Sequence, residues 1–426
     1  MMQSHIVRQN MGFAVEINGR RLPLYAYMSY QPAHADYAEF QAAGVQLYCT
    51  GVYAGDRGIN PGSGIRPFRP GFFRGPDHFD FSAADEDFSR IVGDAAPGEC
   101  YLLPRLMLEL PGWWEALHPE ALCRDVQGTP LHVSYAAPEW LETCTLLMEK
   151  FQQWLHASGW DRYVIGWHLA GGGTEEFIRP LLHPMHYLDD SAPARAHFSQ
   201  WLVARYENIQ ALNDAWRTQW NTFEEVQPPT PAQRQYALQG ELRDKQREAQ
   251  AMDYYRFHSE SLAEAVVSLC KAAKAVTGGQ QIMGAFYGYT VNVPNPEQGH
   301  HAAKIVLESD AVDFLASPFT YMDHRAQGVD WPFQGAVESA HLHGKPWFME
   351  ADVRTHLSRP ISQCMAFANP VGNTCYDAQV WWGPKDLEGS LGQMGKAFAR
   401  ILTHGTATWW FDMWGGWYRQ PELMTF

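Results

Sequence analysis

The chain has 426 residues, 46% of them hydrophobic, and a formal net charge of −15. That length exceeds one small core and suits a large barrel of about 250–400 residues with insertions. The acidic balance, with no Lys/Arg-rich run, argues against nucleic acid and against an anionic membrane surface as partners.

No stretch of about 18 consecutive apolar residues occurs, and Met1 to Arg20 lacks an apolar signal-peptide core. The seven cysteines (Cys49, Cys100, Cys123, Cys144, Cys270, Cys364 and Cys375) are odd in number, scattered and free of CxxC pairs. They are expected to be reduced thiols in a soluble, cytoplasmic protein. Aromatic residues make up 14% of the chain, with 17 Trp. Several of these Trp fall near expected strand ends, where a flat apolar ring can fill a core or floor a sugar site.

In chain order, Val15–Gly19 and Arg21–Tyr25 read as a hairpin, and Leu22–Tyr27 as the first strand of the main sheet. Asp36–Ala43 is predicted helical, ended by Gly44. Val45–Thr50 is the second strand. Residues 55–76 hold many Gly and Pro and form a long loop. Ala83–Val92 is a helix with Ser82 as its N-cap, and Tyr101–Leu108 is the third strand. Pro138–Ala157 is an amphipathic helix opened by proline. Tyr163–Leu169 is the fourth strand. Ala194–Trp216 and Asp253–Val276 are helices. Gln281–Tyr287, Val312–Ser317, Pro346–Met349 and Thr406–Phe411 complete a set of eight strands. Short strands alternating with helices, without a GxGxxG after the first strand, predict an α/β fold, a (β/α)8 TIM barrel with long loops on its C-terminal face. The whole chain, 1–426, is predicted to be one barrel domain. Only about 15 residues follow the eighth strand, so the usual last helix is expected to be absent or replaced.

Barrel chemistry sits at the C-terminal strand ends. The fourth strand runs into Gly171-Gly172-Gly173-Thr174-Glu175-Glu176, and the seventh into Glu350-Ala351-Asp352-Val353-Arg354. Alternation would place Glu350, Asp352 and Arg354 on one side, with the arginine holding a carboxylate ionised. Two carboxyls from separate strand ends suit glycosidic cleavage, one protonating the leaving oxygen while the other attacks the anomeric carbon. Either glutamate of the 175/176 pair could instead be a helix N-terminal acid. Arg105 is expected to face the site or to pair with Glu109. Tyr287, Tyr289 and Tyr321 follow the fifth and sixth strands. Trp409 and Trp414 flank Asp412 at the end of the eighth strand. His341-x-His343, His300-His301 and His183/His186 are candidate metal pairs. The first pair precedes the seventh strand, at the wrong end of a barrel for catalysis.

The segment Tyr206-Glu207-Asn208-Ile209-Gln210-Ala211-Leu212-Asn213-Asp214-Ala215-Trp216, continuing to Trp220, Phe223 and Pro228-Pro229, resembles glycoside hydrolase family 42 of clan A. Asp253-Tyr254-Tyr255-Arg256-Phe257 is similar to the same family, as is Gly166-Trp167-His168-Leu169 at the fourth strand. There the family's Asp-Asn before the acid/base glutamate is replaced by Ala170–Thr174. The resemblance spans residues 20–415 in order and implies a retaining, β-galactosidase-like enzyme. It implies Glu350 as nucleophile and Glu176, followed by the aromatic Phe177, as acid/base, with Glu175 the alternative. It further implies a hydrogen bond from Tyr321 to the nucleophile, and by their places at the strand ends Arg105, Trp167, His168, Tyr287, Tyr321, Arg354, His356, Trp409, Asp412 and Trp414 are expected to contact the sugar. No cofactor or metal is required, and the partner is a carbohydrate. Homo-oligomers, commonly trimers, occur among the relatives. The competing readings are a carbohydrate-binding barrel that has lost catalysis and a metal-dependent TIM-barrel hydrolase.

Overall fold

In a computed structural model of the chain, the described residues are 2–57, 64–125, 127–172, 175–178, 189–234, 242–291, 293, 296–321, 325–365, 369, 371–374 and 381–426. Ten parallel segments form one sheet that closes on itself. The first strand is Tyr25–Met28. The second is interrupted at Thr50 into Leu47–Cys49 and Gly51–Tyr53. The third is interrupted at Leu103-Pro104 into Tyr101–Leu102 and Arg105–Met107. The rest are Gly166–Ala170, Ile282–Phe286, Phe314–Pro318, Trp347–Ala351 and Ala407–Phe411. Each strand pairs with the next and the eighth pairs with the first, Trp410 opposite Tyr27, so the ring has no open edge.

The last five of these strands are buried along their whole length. This is why they read as short apolar runs rather than as alternating patterns. At the other end of the barrel, an antiparallel sheet of Ser4–Gln9, Gly12–Ile17 and Arg20–Pro23 precedes the first strand. The backbone N–H of Ser4 donates to Gln280 (2.8 Å), and its hydroxyl accepts from the Ile282 N–H (3.1 Å). The sheet therefore closes the N-terminal end of the fourth and fifth strands. The predicted hairpin is displaced by a few residues. Leu22 belongs to this sheet, and the first barrel strand starts only at Tyr25. After the eighth strand comes a short helix, Pro421–Thr425, which packs on the helix Leu387–His404. Among the described residues no helix is long and apolar enough to cross a membrane.

Two helix predictions differ in detail. Ser82 is the first helical residue rather than the cap, because Phe81 precedes it in a non-helical conformation. The predicted single helix 194–216 is two helices, Ala192–Tyr206 and Ile209–Trp216. Glu207 breaks it at a φ of +61°, and the Asn208 side chain accepts from the Ala211 N–H to cap the second. Hydrophobic periodicity runs through this break because both helices bury the same kind of face.

Those helices, inserted between the fourth and fifth strands, have their own small core. Phe198, Leu202, Leu212, Trp216 and Val226 pack against Tyr254, Tyr255 and Phe257 of the long helix Ala249–Val276. Asp253 ties them together. It accepts from Trp216 Nε1 (2.8 Å), from the Tyr206 hydroxyl and from Arg205 Nε (2.9 Å). Asn213 holds the following turn through the Trp220 N–H and C=O, each at 2.9 Å. The motif that carries the family resemblance thus forms a structural clasp. Asp253→Ala leaves three donors unmatched. It is expected to cost about 2–4 kcal/mol in denaturant unfolding and to speed amide exchange across residues 192–216. A cost below about 0.5 kcal/mol, the usual range for a surface change, would show that Asp253 is not the anchor.

Candidate active site

The site is built around Arg105, on the third strand and 1% exposed. Its guanidinium is used in every direction. Nε donates to Nδ1 of His168 (3.2 Å), Nη1 to Glu175 Oε2 (2.9 Å), and Nη2 to Glu350 Oε2. Aromatic faces surround it, with the guanidinium carbon 4.7 Å from the Phe286 ring centre and 5.3 Å from that of Trp409. Strand register explains the grouping. Arg105 lies opposite His168, and Glu350 opposite Trp409, so the four side chains enter the barrel as adjacent pairs. Trp409 Nε1 donates to the same Glu350 oxygen (3.2 Å).

The loop after the fourth strand is tightly curled. Gly172 has a φ of +76°, and Glu175 (+69°) and Phe177 (+54°) also adopt the left-handed region. For non-glycine residues that costs of order 1–3 kcal/mol each. The curl is held by the Phe177 N–H to Gly171 (2.8 Å) and by the Gly172 N–H to the Glu109 carboxylate (2.9 Å). Glu109 therefore anchors this loop and does not pair with Arg105. The curl sends the two glutamates to different places. Glu175 is fully buried on Arg105 and also accepts from the Tyr30 hydroxyl (2.9 Å). Glu176 stays partly exposed, and no hydrogen bond joins it to Arg105 among the described residues.

Burial dominates the protonation of all three carboxyls. It pushes Glu176 up to about 8, helped by the negative charge of Glu350, with Arg105 and the nearby phenol of Tyr289 opposing. Glu175 is pushed to about 7, against the pull of Arg105 and Tyr30. Glu350 is raised as well, and Arg105 is the main influence restraining it. Burial and the charge of Arg105 hold His168 well below its ordinary value, so it is neutral. Its Nδ1 is the acceptor for Arg105, which leaves the proton on Nε2.

Other residues expected at the site fall elsewhere. Trp167 alternates with His168 and points out of the barrel onto Phe151 of the helix Pro138–Ser158. Tyr287 donates to backbone carbonyls of Ser259 and Gly299 and stacks on His300, on the outer side of the fifth strand. Asp412 accepts from the Tyr27 hydroxyl (2.8 Å) and the Trp417 N–H (3.0 Å), and burial raises it to about 7. It fixes the end of the eighth strand. Trp414 lies against Tyr30 and Phe68, in the wall beside Glu175. His356 bonds Ser390 at the start of the helix Leu387–His404.

Glu350, Asp352 and Arg354 do not act as one row. Past the strand end the chain turns, and Asp352 gathers Arg325 (2.7 Å), Arg354 (3.1 Å) and the Tyr321 hydroxyl (3.2 Å). Arg354 is thus the partner of Asp352, while Glu350 is held by an arginine from the third strand. Tyr321 bonds Asp352 rather than the nucleophile candidate, although both Glu350 and Glu176 influence it electrostatically. Sequence reading missed Tyr30, which lies just past the first strand, and Arg325. Nothing in their local pattern marks them.

Of the histidine pairs, His183 and His186 lie outside the described residues. His341 packs edge-on against Phe13 of the N-terminal sheet, and His343 bonds the Ser339 carbonyl. Among the described residues no three His, Cys, Asp or Glu side chains come together as a metal set.

Comparison with known proteins follows the same lines. Among solved structures, the chain resembles the catalytic domain of β-amylase from Paenibacillus polymyxa, with a TM-score of 0.61 at 15% identity, covering 91% of this chain and 92% of that one. It also resembles β-galactosidase from Bacillus circulans sp. alkalophilus, with a TM-score of 0.58 at 15% identity, covering 91% and 50%. These likenesses carry the barrel fold. In sequence, the chain is 25% identical over 254 residues to β-galactosidase BbgII of Bifidobacterium bifidum, covering 52% of this chain and 34% of that protein. It is 27% identical over 165 residues to β-galactosidase BgaH of Haloferax lucentense, covering 36% and 22%. The chain therefore spans about a third of the length of the first relative and less of the second. Residues 107–353, more than half of the chain and including the fourth to seventh strands with Arg105's partners His168, Glu175 and Glu350, match the model of glycoside hydrolase family 42, described as beta-galactosidase. The chain belongs to glycoside hydrolase family 42.

Proposed function

We propose that residues 1–426 form the catalytic barrel of a retaining β-glycosidase, with Glu350 as nucleophile and Glu176 as acid/base. One observation carries the assignment. Glu350 is gripped by Arg105 and Trp409, whereas Glu176 stands free of the arginine at the mouth and holds its proton up to about pH 8. A nucleophile must be ionised and aimed; a general acid must be protonated at working pH.

In the first step a Glu350 oxygen bonds the anomeric carbon while the glycosidic C–O bond breaks. The bonding pair leaves on the oxygen, which takes the Glu176 proton. In the second step water attacks the anomeric carbon, Glu176 takes its proton, and the bond to Glu350 breaks to restore the carboxylate. Two inversions give net retention. Arg105 supports the ionised states of Glu350 at both ends of this cycle. The partly exposed Trp381 offers an apolar face for a sugar ring. The names of the sequence relatives favour β-galactosides as substrates, and the buried thiols of Cys49, Cys100, Cys144 and Cys270 suit a reducing, cytoplasmic setting.

A panel of aryl β-glycosides tests the assignment. Glu350→Ala should lose about 10³-fold or more in kcat/KM. Glu176→Ala should lose about 10²–10⁴-fold, with added azide restoring turnover as a glycosyl azide. Undiminished cleavage by Glu350→Ala would sink the nucleophile assignment, and sugar binding without any turnover would favour a binding barrel.

The pH dependence has a definite sign. Glu176 acts while protonated, so kcat/KM should fall as pH rises through about 8. A basic limb below about pH 6 would contradict its role. Arg105→Met strands two buried carboxyls and should cost about 3–5 kcal/mol of unfolding free energy at pH 7. Both carboxyls would then titrate far above their unfolded value, so this loss should shrink at pH 5 and grow as pH rises. Equal losses at both pH values would mean that Arg105 does not balance those charges.

A further inference from the structure

Glu175 is the third carboxyl in this site, and the two-glutamate mechanism does not use it. It is the most buried of the three, in a left-handed backbone conformation, and it occupies one end of a guanidinium whose other end holds Glu350. Its Oε2 accepts from both Arg105 and Tyr30. Its Oε1 is buried without a partner, which adds to the cost of a charge there. The two donors on Oε2 favour the ionised form against that burial, and the balance lies at about 7.

We propose that Glu175 is a positioning residue, which holds Arg105 against Glu350 and divides the arginine's charge between two carboxylates. The proposal rests on Glu350 and Glu176 being the reacting pair. Two consequences follow. Arg105, with Nε fixed on His168 and Nη1 on Glu175, has no rotational freedom left, so Nη2 is aimed at the nucleophile. In addition, the negative charge of Glu175 offsets the positive charge that Glu350 and Glu176 feel, which keeps both carboxyls more basic than Arg105 alone would allow. The charged and titratable groups that share this environment are known. Tyr30 and Tyr53 face Glu175, and Cys49 faces Arg105 and Glu350. Asp352 acts on Glu350, while Tyr289 and Tyr321 face both Glu350 and Glu176. Of these, only Glu175 hydrogen-bonds the same guanidinium as Glu350 with a charge of its own.

The test is the pH profile of kcat/KM for wild type, Glu175→Gln and Tyr30→Phe on the best aryl glycoside. The amide of Glu175→Gln can still accept from Arg105 and Tyr30 but carries no charge. The alkaline limb, which lies above the value of about 7 at which Glu175 itself titrates, should move to lower pH by about one unit and the acid limb by less, with the rate at the new optimum within about tenfold of wild type. Tyr30→Phe, which removes a donor to Glu175 and keeps the fold's aromatic contact, should shift them the same way by less. The midpoint of the 13C-labelled Glu350 carboxyl, followed by NMR, should drop in Glu175→Gln and reads the same effect without turnover. Limbs and midpoint that stay in place, with only a uniform fall in rate, would overturn the proposal. So would a roughly 10³-fold loss in Glu175→Gln that azide rescues, which would make Glu175 the acid. An active Glu350→Ala enzyme would instead defeat the reacting-pair assignment, whereas fixed limbs beside an inactive Glu350→Ala defeat only the role given to Glu175.

Discussion

A guanidinium buried at the centre of a barrel is tolerable only if its charge and its donors are all matched. Arg105 meets that condition through His168, Glu175 and Glu350, which come from the fourth strand, the loop after it and the seventh strand. Removing it from water carries a penalty that these partners and the surrounding aromatic faces offset together. The arrangement links distant parts of the chain, since Arg105 and Glu350 are 245 residues apart in sequence. The same contact that balances a buried charge also restrains the rise that burial imposes on the Glu350 carboxyl. Stability and chemistry thus meet in one side chain.

The barrel supplies what this arrangement needs. Closure of the ring from the first strand to the eighth fixes register, and register fixes which side chains enter the interior together. Around the opening, the curled loop after the fourth strand separates two neighbouring glutamates by environment. One is tied to the arginine, and the other has no hydrogen bond to it among the described residues. Burial raises both carboxyls, so what separates these adjacent residues is their partners. The backbone strain at Glu175 and Phe177 is held by the contacts of Gly171, Glu109 and Tyr30.

The strands were largely legible because each is a short apolar run bounded by turns, and burial on both sides of a parallel strand produces that pattern. Glu350 and the Glu175–Glu176 pair were legible as carboxyls where an apolar strand surfaces. What could not be read is the face each neighbour takes. Trp167 and His168 are adjacent, and only the pairing of His168 with Arg105 decides that the histidine faces in. Arg354 looked like the partner of Glu350 because they share a strand parity, yet the chain turns at Asp352 and the partner comes from another strand. Tyr30 had no signal, since its role depends wholly on where the first and fourth strands meet. The motif that carried the family resemblance proved to be a clasp around Asp253, away from the chemistry.

The central claim is that Glu350 forms a covalent bond with the sugar. A 2-deoxy-2-fluoro glycoside with a good leaving group slows both steps, because fluorine destabilises the positive charge that develops at the anomeric carbon, while the leaving group still permits the first. Incubation followed by peptide mass spectrometry should find one fluorosugar on the peptide containing Glu350, and none in Glu350→Ala. A label on Glu175 or Glu176, or steady turnover with the fluorosugar on no residue, would contradict the account.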